Sequence, residues 1–384
     1  ERHPLVEEWS LPPASKAAGA DSSFVESEYK PIKEMKLANA YPDIAGFKET
    51  IAVGYRFKWA DPVGLSTFDL FAGISPWSSY DFWQKIHLSA KWKYLGWELQ
   101  ANLNPVNFYD LFGPTRRSRA GYSIGVEYSR AFNLRKPFKR EYKLGLFTYG
   151  MMEVLPFYQN IETPIKNMQS AYATYGLSKL RTTLGGVGDE TGYSWSASTT
   201  TYLANGKLYP SLVSNQEAGI LLPWIRNTSF WIRNSIGQSF GDRSSGLSQF
   251  YFGGFRNNYI DWQPAEQYRN VLAFAGAEID QIPAHNYIKT MAELNLIPVR
   301  LRGVGTTWLY PTYIKPSLFA THLATDPLKK ELSRNLFNTG AQVDIQLVMF
   351  SYFKTTWSIG YARMMERGVA SKGQFMLSLK LLGN

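Results

Sequence analysis

The sequence predicts an all-β fold, a transmembrane antiparallel β-barrel of sixteen strands with one long loop that folds inward. Three observations lead to this prediction. Apolar and polar residues alternate with a period of two along most of the chain, as in strands that have two different faces. Aromatic residues make up 15% of the 384 residues, and several stand at predicted strand ends, like the aromatic girdles of membrane barrels. The last segment, KGQFMLSLKLLGN (372–384), alternates as a closing strand does.

The alternation is clear near the start of the predicted sheet. In KETIAVGYRFKW (48–59), one face carries Ile51, Val53 and Tyr55, while lysine, threonine and arginine occupy the other. Sixteen such segments predict strands, and 384 residues divided by 16 leave 24 residues for each strand and its connection, which suits a transmembrane barrel. The predicted strands are 48–59, 64–75, 83–94, 95–104, 119–131, 141–154, 168–184, 193–204, 211–222, 229–240, 246–254, 287–297, 304–320, 338–350, 355–364 and 373–382.

The first 45 residues differ from the rest of the chain. LPPASKAAGADSS (11–23) has the composition of a linker, and YKPIKEMKLANAYPD (29–43) shows no clear period. Residues 1–10 lack the apolar core of a signal peptide, so a secreted protein would be present here in mature or trimmed form. We therefore expect a linker or periplasmic extension over residues 1–45 and an outer-membrane β-barrel over residues 46–384.

Composition excludes several classes of protein. Every apolar run is shorter than the 18 or so residues that a membrane-spanning helix needs. The absence of cysteine excludes a disulfide framework, a thiolate metal site and a cysteine nucleophile. The net charge is +10, but lysine and arginine are scattered singly between aromatic residues, so we expect no nucleic-acid partner.

A soluble β-sandwich or propeller is the main alternative fold, since its strands alternate too. Such a fold buries one face in a dry core. Here the face opposite the apolar residues of 83–94 carries Lys85, Lys91 and Lys93, which would lie unpaired in a dry core. A water-filled lumen suits these lysines better, and the barrel is therefore preferred.

The sequence offers little for catalysis. It has four histidines, and neither a zinc-protease motif nor a nucleophile elbow occurs. His87, facing Asp69 on the neighbouring strand, is the one pair at matched depth. The glycine-rich stretch LRTTLGGVGDETG (180–192) lacks the lysine of a phosphate loop and predicts a flexible turn. We expect no catalytic residue, no metal and no cofactor.

One stretch carries a resemblance to a known family. QFYFGGFRNNYID (249–261) joins an aromatic strand to Gly-Gly and an arginine, and NYIKTMAELNLIP (286–298) follows as a strand with an acidic residue shortly before proline. This order resembles the barrel domain of the outer-membrane protein assembly factor superfamily, the BamA-type or bacterial surface antigen family. The resemblance covers residues 46–384. YKP (29–31), NTGAQVDIQL (338–347) and FMLSLKLL (375–382) look most like barrels that follow a TolB-like β-propeller.

The resemblance implies a latch that holds an inward-folded loop. Arg256 matches the arginine of the family's loop, and Gly253, Gly254 and Phe255 precede it. The family's acidic partner on the next strand matches Glu293, and Asp344, which also has lumen parity, is a second candidate partner. The chain departs from the family by having Asn257 and Asn258 where glycine usually follows the arginine.

The resemblance also implies a role in inserting or translocating proteins at the outer membrane of a Gram-negative-type bacterium. The expected route is a seam between the first strand (48–59) and the last (373–382). The implied partners are outer-membrane lipid, lipopolysaccharide and other outer-membrane or periplasmic proteins. The alternatives are a passive pore, a lipid or solute conduit, and a scaffold for a soluble propeller. The predicted seam residues are Thr50, Ile51, Val53, Tyr55, Phe375, Leu377 and Leu379.

Overall fold

The computed structural model describes residues 28–47, 50–105, 120–152, 155–156, 162–163, 165–256, 260–261 and 264–381. Within them lie sixteen long strands, labelled β1 to β16 in chain order, and short elements that are given by their ranges. The long strands are β1 Lys36–Phe47, β2 Thr50–Ala60, β3 Ser66–Ile74, β4 Ile86–Tyr94, β5 Trp97–Leu103, β6 Tyr122–Arg135, β7 Phe138–Gly150, β8 Met168–Arg181, β9 Thr191–Ala204, β10 Lys207–Leu221, β11 Ser229–Ser239, β12 Asn286–Asn295, β13 Leu309–Thr325, β14 Arg334–Met349, β15 Phe353–Glu366 and β16 Val369–Leu381. The short strands are Leu155–Pro156, Glu162–Thr163, Phe250–Phe252, Ile260–Asp261, Ile282–Ala284 and Val299–Arg300, and the 3-10 helices are Phe82–Lys85, Gly246–Ser248 and Gln267–Arg269.

The long strands form one large antiparallel sheet in which each pairs with its neighbours in chain order. Val299–Arg300 and Ile260–Asp261 join this sheet and bring it to eighteen strands. Among the described residues, β1 pairs with β2 alone. β16 pairs with β15 and, in parallel, with Ile260–Asp261. No ladder between β1 and β16 is present in the described ranges, so the predicted closure into a sixteen-stranded barrel is not shown by hydrogen bonding.

The start of the sheet differs from the prediction. β1 begins at Lys36, inside the segment expected to be a linker. Its alternation is hidden in the sequence because Pro42 interrupts it and because the register shifts between Leu37 and Asn39. Proline is tolerated in edge strands, where its nitrogen need not donate to a ladder. The predicted first strand, 48–59, is therefore the second strand, β2.

The predicted strand at 246–254 is the other correction. Only Phe250–Phe252 forms a strand there, and it pairs with Ile282–Ala284 outside the main sheet. The segment alternates because it packs aromatic side chains inward as one arm of a loop. One predicted strand is thus lost and one unpredicted strand gained. The number of long strands in the described residues, sixteen, equals the predicted number for that reason.

The connections at the two ends of the sheet differ in length. We call the end where β1 begins and β16 ends the lower end, and the opposite end the upper end. The lower connections are 61–65, 95–96, 136–137, 182–190, 222–228, 296–308 and 350–352. The upper connections are 48–49, 75–85, 104–121, 151–167, 205–206, 240–285, 326–333 and 367–368. The longest connection, 240–285, starts and ends at the upper end.

The exposure of polar and apolar side chains on the two faces of the sheet is the reverse of that expected for a soluble protein. The outer face exposes large apolar side chains, of which Phe375 is 67% exposed and Ile44 66% exposed. The inner face buries polar groups, including Glu293 and Ser358. Among the described residues, no helix is long and apolar enough to cross a membrane.

Aromatic side chains form rows on the outer face near the lower end. Trp97 lies 4.7 Å from Tyr128, which lies 5.8 Å from Tyr142, as measured between ring centroids. Trp59 and Phe68 form a similar contact at 5.5 Å. These rows lie at one level across neighbouring strands, which is the arrangement of a girdle.

The inner face of the first strands carries half-exposed ion pairs. Arg56 donates to Asp43 at 2.8 Å and to Asp69 at 2.6 Å. Lys91 and Lys93 both pair with Glu98, at 2.7 Å and 3.2 Å. Two of the lysines that argued against a dry core therefore have a carboxylate partner. Because these charges remain partly exposed, each pair contributes little to stability.

Candidate functional site

The described part of the connection from β11 to β12 folds back onto the inner face, and we call its described residues between 250 and 284 the inward loop. Its two arms pair as Phe250–Phe252 and Ile282–Ala284. Gly253 and Gly254 follow the first arm with φ of +153° and +67°. A Cβ at Gly253 would lie 1.8 Å from the carbonyl oxygen of Glu278. Glycine is thus required where the two arms cross.

Phe255 anchors the loop to the sheet through apolar contacts. It is buried in a cluster with Tyr268 of the same loop and with side chains of β12, β13, β15 and β16. Tyr268 stacks on Phe319 with ring centroids 4.5 Å apart, and Phe255 meets Phe319 edge-on at 6.0 Å. Full burial of a side chain such as Phe255 stabilises the docked loop by about 1.5–3 kcal/mol.

Arg256 has other partners than the sequence suggested. It forms an ion pair with Asp280, two residues before the second arm, and its Nη2 donates to the carbonyl oxygen of Tyr251 at 2.7 Å. Its backbone is left-handed, with φ of +60°. Arg256 therefore joins the two arms of the loop to each other, and no contact with Glu293 or Asp344 is formed among the described residues. Asn257 and Asn258, which follow it, lie outside those residues.

Glu293 binds a different arginine of the loop. Its carboxylate is fully buried and accepts from Arg269 Nε at 3.0 Å, from Arg233 Nε at 2.8 Å and from the Tyr268 hydroxyl at 3.0 Å. Arg233, on β11, also pairs with Glu217 on β10. The expected arginine–carboxylate link between loop and wall is thus present, with Arg269 in the place predicted for Arg256.

Lys289 forms a second link between wall and loop. This residue of β12 is buried, and its Nζ donates to the carbonyl oxygens of Asn270, Val271 and Ala273 at 2.9, 3.0 and 2.6 Å. An ammonium group has three donors, and each finds an acceptor in the loop backbone. Lys289 therefore holds one turn of the loop against the sheet without using any loop side chain.

Replacing Lys289 with methionine is expected to loosen the inward loop. Methionine keeps the length of the side chain but leaves three carbonyl oxygens without their donor, and hydrogen bonds to a charged group contribute about 1.5–3 kcal/mol each. The measurement is hydrogen exchange of residues 264–281 in the detergent-solubilised protein. Lys91→Met, which removes an inner-face lysine that does not touch the loop, is the matched control. Equal protection in both variants would contradict this role of Lys289.

Glu266 forms a third link, to β13. Its carboxylate accepts from Lys315 Nζ at 2.6 Å and lies 3.8 Å from Arg269. Burial by itself would raise the pKa of Glu266, but the charges of Arg269 and Lys315 outweigh it and hold the pKa below its usual range. The pair stabilises the docked loop above pH 4.5, the unshifted pKa, and this contribution is lost as the pH falls toward the lowered pKa.

Asp344 lies on the wall beside a polar cavity of about 580 Å³. Its Oδ1 accepts from Gln342 at 2.7 Å and from Ser358 at 2.6 Å. Its Oδ2 is buried and has no hydrogen-bond partner in the described structure. Gln342 also donates to the carbonyl oxygen of Ala265 in the loop at 3.0 Å. Asp344 thus supports the loop through Gln342, although Arg256 does not reach it.

His87 pairs with a serine, and Asp69 is used elsewhere. His87 Nδ1 lies 2.9 Å from the carbonyl oxygen of Asn104, which can only accept, so Nδ1 carries the hydrogen and Nε2 accepts from Ser75 at 2.5 Å. Both side chains are almost completely buried, so this pair braces the upper ends of β3 and β4. Among the described residues, no group of three or more metal-ligating side chains is present.

The predicted seam residues lie on β2 and β16, and of these two strands only β16 is an edge strand in the described part of the sheet. Phe375, Leu377 and Leu379 lie on β16, the last strand. Thr50, Ile51, Val53 and Tyr55 lie on β2, and Val53 pairs on both sides, with Ile44 of β1 and Ile74 of β3. Within the described residues, the first edge strand of the sheet is therefore β1, not β2.

Sequence reasoning identified Glu293 and missed two residues that bind the loop. Lys289 had a usable signal, because it shares the inner-face parity of Glu293 on the same strand. Arg269 had none, since nothing in the stretch AEQYRN (265–270) distinguishes a side chain that turns toward the wall.

Of the comparisons with known proteins, the one with solved structures finds a similarity. No family model and no curated protein matches the chain. Among solved structures, the crystal structure of BamA from Haemophilus ducreyi lacking POTRA domains 1–3 is similar, with 12% sequence identity and a TM-score of 0.44. The match covers 88% of this chain and 69% of that chain. At this level of similarity, no residue role transfers from that protein to this one.

Proposed function

We propose that the chain is an outer-membrane β-barrel that inserts or translocates polypeptide at a seam between β1 and β16, with the inward loop filling its lumen. The observation that carries the proposal is the pairing of the two edge strands. Within the described ranges, β1 forms a strand ladder with β2, and β16 forms ladders with β15 and with Ile260–Asp261 of the inward loop. Strand edges of this kind are templates to which another chain can add a strand.

The exposed apolar side chains on the outer face of the sheet support a location in the membrane. Its outer face exposes large apolar side chains such as Ile124, Leu146 and Leu208, whereas its inner face carries ion pairs and the polar loop contacts. A soluble protein would hide the first set and expose the second. Hydrocarbon around the outer face would cover these residues, and the aromatic rows would lie at headgroup level.

The lengths of the connections support the same arrangement. Outer-membrane barrels have short turns on the periplasmic side and longer loops outside. On this basis the lower end, where β1 begins, faces the periplasm and the inward loop enters from outside. Pro42 of β1 also lacks an N–H donor, which weakens any ladder that would close the seam.

Crosslinking the seam is expected to abolish client insertion. The chain has no cysteine, so Ile44→Cys with Leu377→Cys provides the sole thiols, one on β1 and one on β16. A short bismaleimide joins them in proteoliposomes, and insertion of an unfolded outer-membrane β-barrel protein is followed by its heat-modifiable mobility. Joining the edges prevents strand addition, so insertion should stop.

The matched control joins two strands that are already paired. Val53 lies opposite Ile74 across β2 and β3, so Val53→Cys with Ile74→Cys places the same crosslink away from the seam and should leave insertion unchanged. Unaltered insertion in the crosslinked seam variant would overturn the proposal. A steady large conductance of the uncrosslinked protein in planar bilayers would favour a passive pore instead.

A further inference from the structure

The connection 182–190 between β8 and β9, which we call the lower cover, reaches across the lower end of the sheet. Arg300 donates from Nε to the carbonyl oxygen of Gly185 at 3.1 Å and from Nη2 to that of Gly186 at 2.9 Å. Arg300 continues the line of β12 along β13, so β10 and β11 lie between it and the strands that the cover joins. The cover therefore spans the inner side of these two strands.

The two ends of the cover, which we call its root, are fixed by partly buried hydrogen bonds. Glu190 is 6% exposed and accepts from the backbone N–H of Thr183 at 3.0 Å and from Asn227 Nδ2 at 2.9 Å. Asn227 also donates to the Thr183 hydroxyl at 3.0 Å. Both ends of the cover are thereby tied to each other and to the connection between β10 and β11.

The middle of the cover closes the polar cavity from below. Val187, Gly188 and Asp189 line the space of about 580 Å³ whose other walls include Glu266 and Arg269 of the inward loop. A Cβ at Gly188 would lie 3.7 Å from Lys315 Nζ. Between the cover and the ends of β11 and β12 a gap of only about 10 Å³ remains, about the space of one water molecule.

We infer that residues 182–190 are a hinged cover for the lower mouth of the barrel, with Arg300 as its clasp. The lumen then has two closures, the inward loop and the lower cover, and a charged chamber lies between them. The root is held by partly buried hydrogen bonds, whereas the tip, Gly185 and Gly186, is held by two exposed hydrogen bonds from Arg300. Opening at the tip exposes the chamber to the lower side while the root stays in place. This inference requires the closed barrel of the proposed function, but it does not require the insertion activity.

Chamber accessibility tests the cover directly. Thr356 lines the chamber and is almost buried, and Thr356→Cys places one thiol there in a chain that has no other. The labelling rate of this thiol by a charged maleimide is measured in detergent, with Arg300→Ala added as the opening variant. Loss of the two bonds is expected to raise the rate about tenfold.

Arg302→Ala is the matched control, since Arg302 lies two residues away and makes no contact with the cover among the described contacts. It should leave labelling unchanged. Equal labelling in the Arg300 and Arg302 variants, with heat-modifiable folding intact in both, would overturn the inference. The insertion assay on the same proteins reports separately on the proposed function.

Discussion

Glu293→Gln is expected to release the inward loop and to cause the largest loss of stability among the inner-face substitutions. Glu293 is fully buried and balances two guanidinium groups, those of Arg269 at 3.0 Å and Arg233 at 2.8 Å. Removing one partner of a buried pair leaves uncompensated charge and costs about 3–5 kcal/mol. The free energy of unfolding in detergent and protease cleavage within 264–281 measure the two effects.

Two arginine variants show whether Glu293 holds the loop through Arg269. Arg269→Ala should reproduce the cleavage of the loop, whereas Arg256→Ala should loosen the two arms and leave the link to β12 in place. Glu366→Gln is the control for a carboxylate that makes no described contact with the inward loop. Glu366 accepts two bonds from Arg334 at 2.8 Å, with the arginine side chain 44% exposed, and such pairs contribute about 0–1 kcal/mol. Stronger cleavage in Arg256→Ala than in Arg269→Ala would contradict this assignment.

Gly276→Ala is expected to separate the loop from β15. Gly276 has φ of +97°, and a Cβ there would lie 2.5 Å from the backbone nitrogen of Met364. Its own N–H donates to Gln374 of β16 at 2.9 Å. The left-handed backbone costs about 1–2 kcal/mol for a residue with a Cβ, and the clash adds about 1–3 kcal/mol.

Gly368→Ala separates the two contributions to this cost. Gly368 also has positive φ, +79°, but no atom lies within 4 Å of the position that a Cβ would take there, so only the backbone cost applies. Chemical unfolding of both variants should give a clearly larger loss for Gly276, together with loss of hydrogen-exchange protection in the loop. Equal losses would show that the loop does not depend on this close approach to β15.

The strands are predictable because alternation is a local property. From Ile86 to Tyr94 and from Tyr122 to Tyr128 every second residue is apolar, and such a segment has one arrangement that separates its two faces. β1 was not predicted, because Pro42 and the register shift near Leu37 hide the period of its alternation. The segment 246–254 was predicted to be a strand of the sheet because its apolar residues alternate. The alternation arises because the aromatic arm of the loop also packs one of its faces inward, and this gives the same period as a strand.

The loop contacts are predictable only in part. Glu293 has inner-face parity and stands at a point where a resemblance implies an acidic partner. The same resemblance implies that Arg256 binds it, because an arginine shortly after Gly253 and Gly254 matches the arginine of the family's loop. In the structure those glycines turn the chain so that Arg256 faces Asp280. Arg269, thirteen positions later along the same loop, then reaches the wall.

Residue order along the chain is enough to establish that this protein is built from strands with one apolar and one polar face, that a long connection precedes β12, and that Glu293 faces inward. Each of these properties belongs to a single strand or a single connection. The three-dimensional fold was needed to show which strand is first, which arginine binds Glu293, that Lys289 holds the loop backbone and that 182–190 spans the lower end. Each of these depends on where a turning chain meets a distant strand, and that is set by packing and hydrogen bonding between segments far apart in the sequence.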